Sequence, residues 1–158
     1  MTDMDPLSVT ASVIAYATQT YGGFWIRVVA WIIDAFVISI ISVPLAMIFG
    51  LSRPFGGRVG FHPLLFFTFI SWRLVIVWLY EALMTSSQYQ ATLGKMILGL
   101  RVTDLAGRRI SFARATARAF GKVLSGMILG IGYLMVAFTE RKQGLHDMLA
   151  GTLVQKTR

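Results

Sequence analysis

The sequence of 158 residues contains no cysteine and few charged residues, which make up 14% of the chain. Without cysteine the protein can form neither a disulfide nor a thiolate metal site, so its redox compartment cannot be inferred. Soluble domains carry about 25% charged residues and are about 45–50% apolar. This chain is 56% hydrophobic. Both departures from the soluble average indicate a membrane protein.

Acidic residues are also scarce: the chain has 7 Asp and Glu against 15 Lys and Arg, and its formal net charge is +8. On a soluble domain this excess would indicate nucleic-acid binding. Here the basic residues lie mostly between and after the hydrophobic runs, where anionic lipid headgroups are the expected partner. We therefore expect the protein to bind the anionic headgroups of the lipid bilayer and not to bind nucleic acid.

Two long hydrophobic runs occupy residues 24–51 and 63–84. Each exceeds the length of about 20 residues that a helix needs to cross a bilayer. A connection rich in Gly and Pro, at 52–63, separates them. The sequence therefore predicts two full transmembrane helices joined by a tight connection.

Each run carries one basic and one acidic side chain, Arg27 with Asp34 and Arg73 with Glu81. A charge at the bilayer centre costs about 2.5–3.5 kcal/mol, so each of them needs an explanation. Arg27 lies near a helix end, where its long side chain can reach the headgroups. Asp34 is too short to do so and is expected to be protonated, paired or facing water, with Arg73 as a candidate partner. A buried ion pair that fixes helix register and a protonatable ion path both remain open interpretations.

A long basic segment follows the second run. Its residues 98–112 alternate around residues 104–107, which predicts a short β-hairpin or turn on the membrane surface. Residues 111–127 predict an amphipathic helix with Ser111 as its N-cap. Basic residues at every fourth position of this helix are expected to bind anionic headgroups. This stripe consists of Arg114, Arg118 and Lys122.

A third hydrophobic segment, 120–139, is long enough to span but contains glycines at 130 and 132. It is either a kinked span or a re-entrant hairpin that turns at these glycines. The Lys and Arg bias places the second loop and the N-terminus in the cytoplasm, and a hairpin keeps the basic C-terminal tail there too, so we favour the hairpin. Arg27 and Asp147 would then lie at one interface, where we predict an ion pair that clamps the C-terminal segment against the first helix.

The predicted organisation is that of an all-α membrane protein with a polar tail at 1–20, a membrane domain at 21–155 and a basic end at 156–158. No Ser/His/Asp order and no paired-carboxylate context indicates an enzyme. No set of histidines and carboxylates stands at the spacing that a metal site requires. We therefore expect neither catalysis, nor a metal, nor a cofactor.

Three stretches, GGFWIRVVAWIID, ATLGKMILGLRVTDLAGRRIS and KQGLHDMLAGTLV, together resemble the RDD family of small bacterial membrane proteins. The family is named for one arginine and two aspartates, which correspond here to Arg27, Asp34 and Asp147. The resemblance covers residues 21–155. Arg73 is not one of the residues that name the family, so the resemblance does not explain it.

The resemblance implies a multi-pass protein of the bacterial cytoplasmic membrane. Transport of unidentified ligands has been suggested for the family, and some of its members look like cation/proton antiporters. Two or three helices can scarcely enclose a pathway, so a transporter is expected to be oligomeric. Asp34 would then be its proton or cation site and face water. In the alternative hypothesis the protein is a non-transporting membrane module that binds a partner protein or organises lipid, and Asp34 and Arg73 lie at a dry, fully paired interface.

Overall fold

The computed structural model describes residues 20–48 and 63–157. The predicted polar tail and the predicted connection at 52–63 lie almost entirely outside these described residues. The fold is mostly helical with one small sheet, which confirms the predicted helical membrane class. In chain order the elements are α1 (Phe24–Ile48), α2 (Pro63–Ser86), α3 (Leu93–Ile97), β1 (Leu100–Asp104), α4 (Phe112–Met127), α5 (Ile131–Phe138), α6 (Leu145–Ala150) and β2 (Thr152–Lys156).

Helices α1 and α2 are, within the described residues, the two single helices long and apolar enough to cross a bilayer, over Phe24–Leu45 and Phe67–Ser86. Proline begins α2 at position 63, where its missing N–H would have no helical partner in any case. Both helices expose large apolar side chains, as a surface facing lipid tails requires. Examples are Trp31, Phe36, Leu74 and Leu83.

The two strands form an antiparallel pair that joins the middle of the chain to its C-terminus. Leu100 lies opposite Lys156, and Asp104 lies opposite Thr152. The turn predicted after β1 is present, because Asp104 Oδ1 accepts a hydrogen bond from the backbone N–H of Arg108 at 2.8 Å. The chain then enters α4 instead of a second strand, so of the two predicted alternatives the turn is confirmed and the local hairpin is not formed. The alternation of apolar and polar residues predicted β1 correctly. Its partner is β2, a segment distant in the chain whose apolar residues lie in the same core.

The apolar core lies where the sheet meets the N-terminal half of α1 and the C-terminal half of α2. The chain ahead of α1 is tied to β2 by two backbone hydrogen bonds, from Gly22 N–H to the Val154 carbonyl at 2.9 Å and from Lys156 N–H to the Thr20 carbonyl at 2.8 Å. The last strand therefore fixes the start of the first helix. The buried cluster comprises Ala30, Ala82, Leu100, Val102, Ile110, Ala115 and Val154.

Helices α4 and α5 meet at an angle of 102°, so the third hydrophobic segment is broken as its glycines predicted. Leu129 and Gly130 have φ of 52° and 76°, a left-handed conformation that glycine adopts without strain. Gly132 lies inside α5, where a Cβ would approach Ser125 Oγ to 2.6 Å. One glycine therefore shapes the bend, and the other lets the two helices pack closely beside it.

Candidate functional site: a buried charge network

Asp147 lies at the centre of a network of buried charges. Its side chain is 0% exposed. Its Oδ1 accepts a hydrogen bond from Nε of Arg118 at 2.7 Å, and its Oδ2 pairs with Nη1 of Arg27. Burial opposes ionisation of the carboxyl, but Arg118 and Arg27 outweigh it and hold the pKa of Asp147 well below its usual range. One carboxylate of α6 thus joins α1 to α4.

Arg27 uses its planar fork to hold three segments together. Besides Asp147, its Nε donates to the Gly22 carbonyl at 2.8 Å and its Nη2 donates to the Lys142 carbonyl. The predicted ion pair between Arg27 and Asp147 is therefore present. It fastens the C-terminal segment to the start of α1, as the clamp requires.

Glu81 of α2 faces three cations through a single carboxylate oxygen. Its Oε1 pairs with Nζ of Lys122, lies 3.5 Å from Nζ of Lys95 and lies 3.7 Å from Nη1 of Arg118. Arg118 is only 3% exposed and contacts both Glu81 and Asp147. It thereby connects the two carboxylates into one continuous network.

The predicted headgroup stripe on α4 is wrong for Arg118 and Lys122, which turn inward to Glu81 and Asp147. The helix begins at the predicted N-cap, because Ser111 Oγ accepts the backbone N–H of Arg114 at 3.3 Å. Periodicity predicted the shared face of the basic residues but not what that face meets. Since α4 packs on two buried carboxylates, its polar face turns inward and its apolar face outward. Phe120, Val123 and Met127 are among the exposed residues of that apolar face.

Arg114, the remaining member of the predicted stripe, is exposed, and its Nη1 lies 3.8 Å from Oδ2 of Asp104. Asp104 also pairs with Arg108 at 3.1 Å. These contacts lie beside the turn after β1 and separate from the network around Glu81.

Asp34 of α1 is buried, and both of its oxygens are engaged. Oδ1 accepts hydrogen bonds from the Tyr80 hydroxyl and the Gly94 backbone N–H, each at 2.8 Å, and Oδ2 accepts from the Thr92 hydroxyl at 2.6 Å. A Cβ on Gly94 would overlap the backbone of Ala30. Asp34 therefore holds the start of α3 against α1 and α2, and the glycine lets α3 approach α1 closely.

Arg73 does not pair with Asp34, so that candidate pairing is wrong. Its Nη1 donates instead to Oγ of Ser42 at 3.0 Å, nearer the C-terminal end of α1. Helical side chains lean toward the N-terminus of their own helix, which directs those two side chains away from each other in antiparallel helices.

Lys95 is a further member of the network, and its role was not predictable from its sequence motif. It lies on α3, next to Gly94, and its side chain is buried close to Glu81. Burial is the main cause that lowers the pKa of Lys95 to about 7; Glu81 opposes this shift, and Lys122 and Arg118 contribute to it. A lysine between apolar residues in TLGKMILG was the available signal. Its amine can therefore exchange a proton near neutral pH.

His146 adjoins the network without being charged. Its Nε2 lies 3.6 Å from Oδ1 of Asp147, and its Nδ1 is buried with no hydrogen-bond partner in the described part of the chain. Burial lowers the pKa of His146 to about 3, so the imidazole is neutral at physiological pH. Among the described residues, no three His, Cys, Asp or Glu side chains lie close enough together to hold a metal ion.

A mostly helical fold with two candidate membrane helices and a charge network buried against them defines a small helical membrane protein. The family model of the RDD family matches residues 21–151, and the chain belongs to this family. Of the three residues that the resemblance assigned to the family's name, Arg27 and Asp147 meet directly, whereas Asp34 has its own partners on α2 and α3.

Three similar proteins come from Bacillus subtilis (strain 168). The chain is 39% identical to "Uncharacterized protein YxaI", covering 84% of this chain and 95% of that protein. It is 32% identical to "Uncharacterized membrane protein YteJ", covering 87% and 82% respectively. It is 31% identical to "Uncharacterized protein YckC", covering 84% and 82%. No solved structure matches the chain.

Proposed function

We propose that the protein takes part in the transport of an ion or small ligand across the bacterial inner membrane, acting as an oligomer. The observation that carries this proposal is Glu81, a buried carboxylate on a candidate membrane helix that faces Lys95, Arg118 and Lys122. Ionisable groups at membrane depth are costly, and they commonly mark ion paths and proton relays. The position of Lys95 beside Glu81 adds a group able to release or accept a proton near neutral pH.

The site of ion chemistry is better supported at Glu81 and Lys95 than at Asp34. Both oxygens of Asp34 already accept hydrogen bonds that hold α3 against α1. Releasing them for each transport cycle would detach α3, whereas the partly exposed Lys122 can move away from Glu81 without opening the fold. Asp34 then has a positioning role, since it fixes the helix that carries Lys95.

We further propose a multi-pass arrangement with the N-terminus and residues 86–119 on the cytoplasmic side. The excess of Lys and Arg in the segment after α2 supports this orientation. The contact of Arg27, near the start of α1, with Asp147 supports it too, because it requires the C-terminal segment to return to the same end of the helices.

Ion flux into proteoliposomes under an imposed proton gradient tests the proposal. Glu81→Gln and Lys95→Met should each abolish the flux seen with the wild type, while the exposed Glu140→Gln should leave it unchanged. Circular dichroism of each variant separates loss of transport from loss of folding. Folded Lys95→Met and Glu81→Gln proteins that transport at the wild-type rate would refute the assignment.

A non-transporting membrane module is the second candidate function, and a specific observation favours it. Asp34 is buried with both oxygens accepting hydrogen bonds, and Arg73 donates to Ser42. These are the features expected of groups that fix a fold for partner binding or lipid organisation. Absence of flux from the folded wild type for protons, sodium, potassium and small anions would favour this function.

A further inference from the structure

The charge network is not balanced by its own carboxylates. Among the described residues, four cations take part in its ion pairs, against two carboxylates, with a third carboxylate nearby. When every group is ionised, positive charge is therefore in excess. Such an excess at a buried position favours either loss of a proton or binding of an anion. The cations are Arg27, Lys95, Arg118 and Lys122, and the carboxylates are Glu81, Asp147 and the nearby Asp34.

Glu81 meets its three cations through one oxygen, and Arg118 also pairs with Asp147 through its Nε. Lys122 pairs with Oε1, so Lys95, at 3.5 Å, and Arg118 Nη1, at 3.7 Å, share an oxygen that is already engaged. The Nη1 nitrogen of Arg118 is buried and has no hydrogen-bond partner among the described residues. A buried guanidinium nitrogen without an acceptor is costly, and an added acceptor would satisfy it.

We propose that Lys95, Arg118 and Lys122 form a binding site for a single oxyanion of the phosphate type, and that Lys95 takes up a proton when the anion binds. This inference names the ligand class of the site described above and so rests on the proposed function. The side chain of Lys122 is 25% exposed, which gives the anion a way in. The oxyanion belongs either to a lipid headgroup or to a free small molecule, because both present the same charged oxygens.

Proton uptake follows from the surroundings of Lys95. Asp34 of α1, Glu81 of α2, and Arg118 and Lys122 of α4 all act on it. With a pKa of about 7, Lys95 is partly neutral near neutral pH. An anion beside it favours the ammonium form and raises that pKa, so binding and protonation assist each other. The anion and the proton then enter the site together, with less net charge than the anion alone.

Calorimetric titration of sulfate into the full-length protein in phosphatidylcholine nanodiscs tests this proposal. Sulfate resembles phosphate but does not titrate near neutral pH, so any proton uptake comes from the protein. Experiments in two buffers with different heats of ionisation, about one pH unit above the pKa of Lys95, measure that uptake. The wild type should bind sulfate and take up a proton.

Two variants and a matched control make the result specific. Lys95→Met should weaken sulfate binding about tenfold or more, as the loss of one charged hydrogen bond does, and should abolish proton uptake. Lys122→Met should weaken binding by a similar factor. Arg114→Gln removes a cation from an exposed position of the same helix and should change neither quantity. The proposal would be overturned if the wild type, Lys95→Met and Lys122→Met bound sulfate equally well. It would also be overturned if none of the three bound sulfate.

Repeating the titration in nanodiscs that contain phosphatidylglycerol distinguishes the two sources of the oxyanion. If phosphatidylglycerol weakens sulfate binding to the wild type but leaves the residual binding of Lys122→Met unchanged, the lipid competes for the site. That result would assign the oxyanion to a headgroup. An unchanged wild-type affinity would assign it to a free anion. The titration measures binding without a gradient, so its result does not depend on transport. Sulfate binding in the absence of flux in the proteoliposome assay would refute the transport proposal alone. Flux without sulfate binding would refute this inference alone.

Discussion

Arg118 and Asp147 form an ion pair between α4 and α6 in which Nε and Oδ1 lie 2.7 Å apart and both side chains are almost completely buried. Asp147 also pairs with Arg27 of α1, so one carboxylate connects three helices. A buried pair of this kind depends on the presence of both partners, because removal of one leaves the other charge without compensation.

Asp147→Asn should therefore destabilise the protein strongly. Two arginines would lose their shared counter-ion, and breaking a buried pair in this way costs about 3–5 kcal/mol. Denaturant unfolding in detergent micelles, followed by circular dichroism, measures the loss. Glu140→Gln makes the same chemical change at an exposed position and should alter the free energy of unfolding by about 0.5 kcal/mol or less. Equal stability of the two variants would contradict the central role of Asp147.

Arg27→Lys should also destabilise the protein although it keeps the charge. A lysine has no fork with which to reach Asp147 and the carbonyls of Gly22 and Lys142 together. We expect a loss of about 1–3 kcal/mol, corresponding to the unmade hydrogen bonds. The midpoint of thermal unfolding reports it, and Arg101→Lys at an exposed position serves as the control. If Arg27→Lys left the midpoint of thermal unfolding unchanged while the control lowered it, charge alone would suffice at position 27.

Gly94→Ala should disturb the junction between α3 and α1. The added Cβ would overlap the Ala30 backbone and lie 3.0 Å from Cγ of Asp34. Overpacking of this type costs about 1–3 kcal/mol. Gly126→Ala is the matched control, since it meets nothing within 4 Å, and inside α4 it should stabilise by about 0.5–1 kcal/mol. Unfolding free energies that change in the same direction for both variants would contradict the close approach.

His146 should make stability depend on pH. Its folded pKa of about 3 lies below the ordinary value of 6.5, so the unfolded state binds more protons between these values. The stabilising contribution is therefore complete above about pH 6.5 and decreases as the pH falls toward 3. Thermal midpoints measured from about pH 7 to about pH 5, above the ordinary pKa range of carboxyl groups, in a His62→Gln background isolate this residue, because the sequence contains two histidines. A His146→Phe variant with the same pH profile over this window would refute the assignment.

The proposed orientation predicts which side of the membrane single cysteines face. The natural chain has no cysteine, so Ser87→Cys and Gly57→Cys each introduce one thiol. A membrane-impermeant maleimide added to intact cells should label the cysteine at position 57 and not that at position 87. Labelling of position 87 from outside would reverse the orientation.

The number and places of the main helices were predictable from the sequence. Run length identified α1 and α2, glycines located the break between α4 and α5, and the hydroxyl of Ser111 marked the start of α4. These features depend on residues close together in the chain, where helix geometry and capping act. The pair of Arg27 and Asp147 was also predicted, because both were expected at the same interface.

The partners of most charged residues were not predictable. Periodicity showed that Arg118 and Lys122 share a face, but two buried carboxylates on other helices turned that face inward. The apolar neighbours of Lys95 in the sequence were a signal of burial, but they did not indicate its partners. Its burial is created only when α3 packs against α1 and α2.

The sequence by itself determined that this is a membrane protein, where its long helices lie, and that Arg27 and Asp147 can meet. Hydrophobic runs longer than a bilayer is thick leave few alternatives, since unpaired backbone groups are excluded from lipid. Only the tertiary structure decided that β1 pairs with β2, that Asp34 holds α3, and that three cations converge on Glu81. Those contacts join segments far apart in the chain, and their free energy depends on burial that no single segment possesses alone.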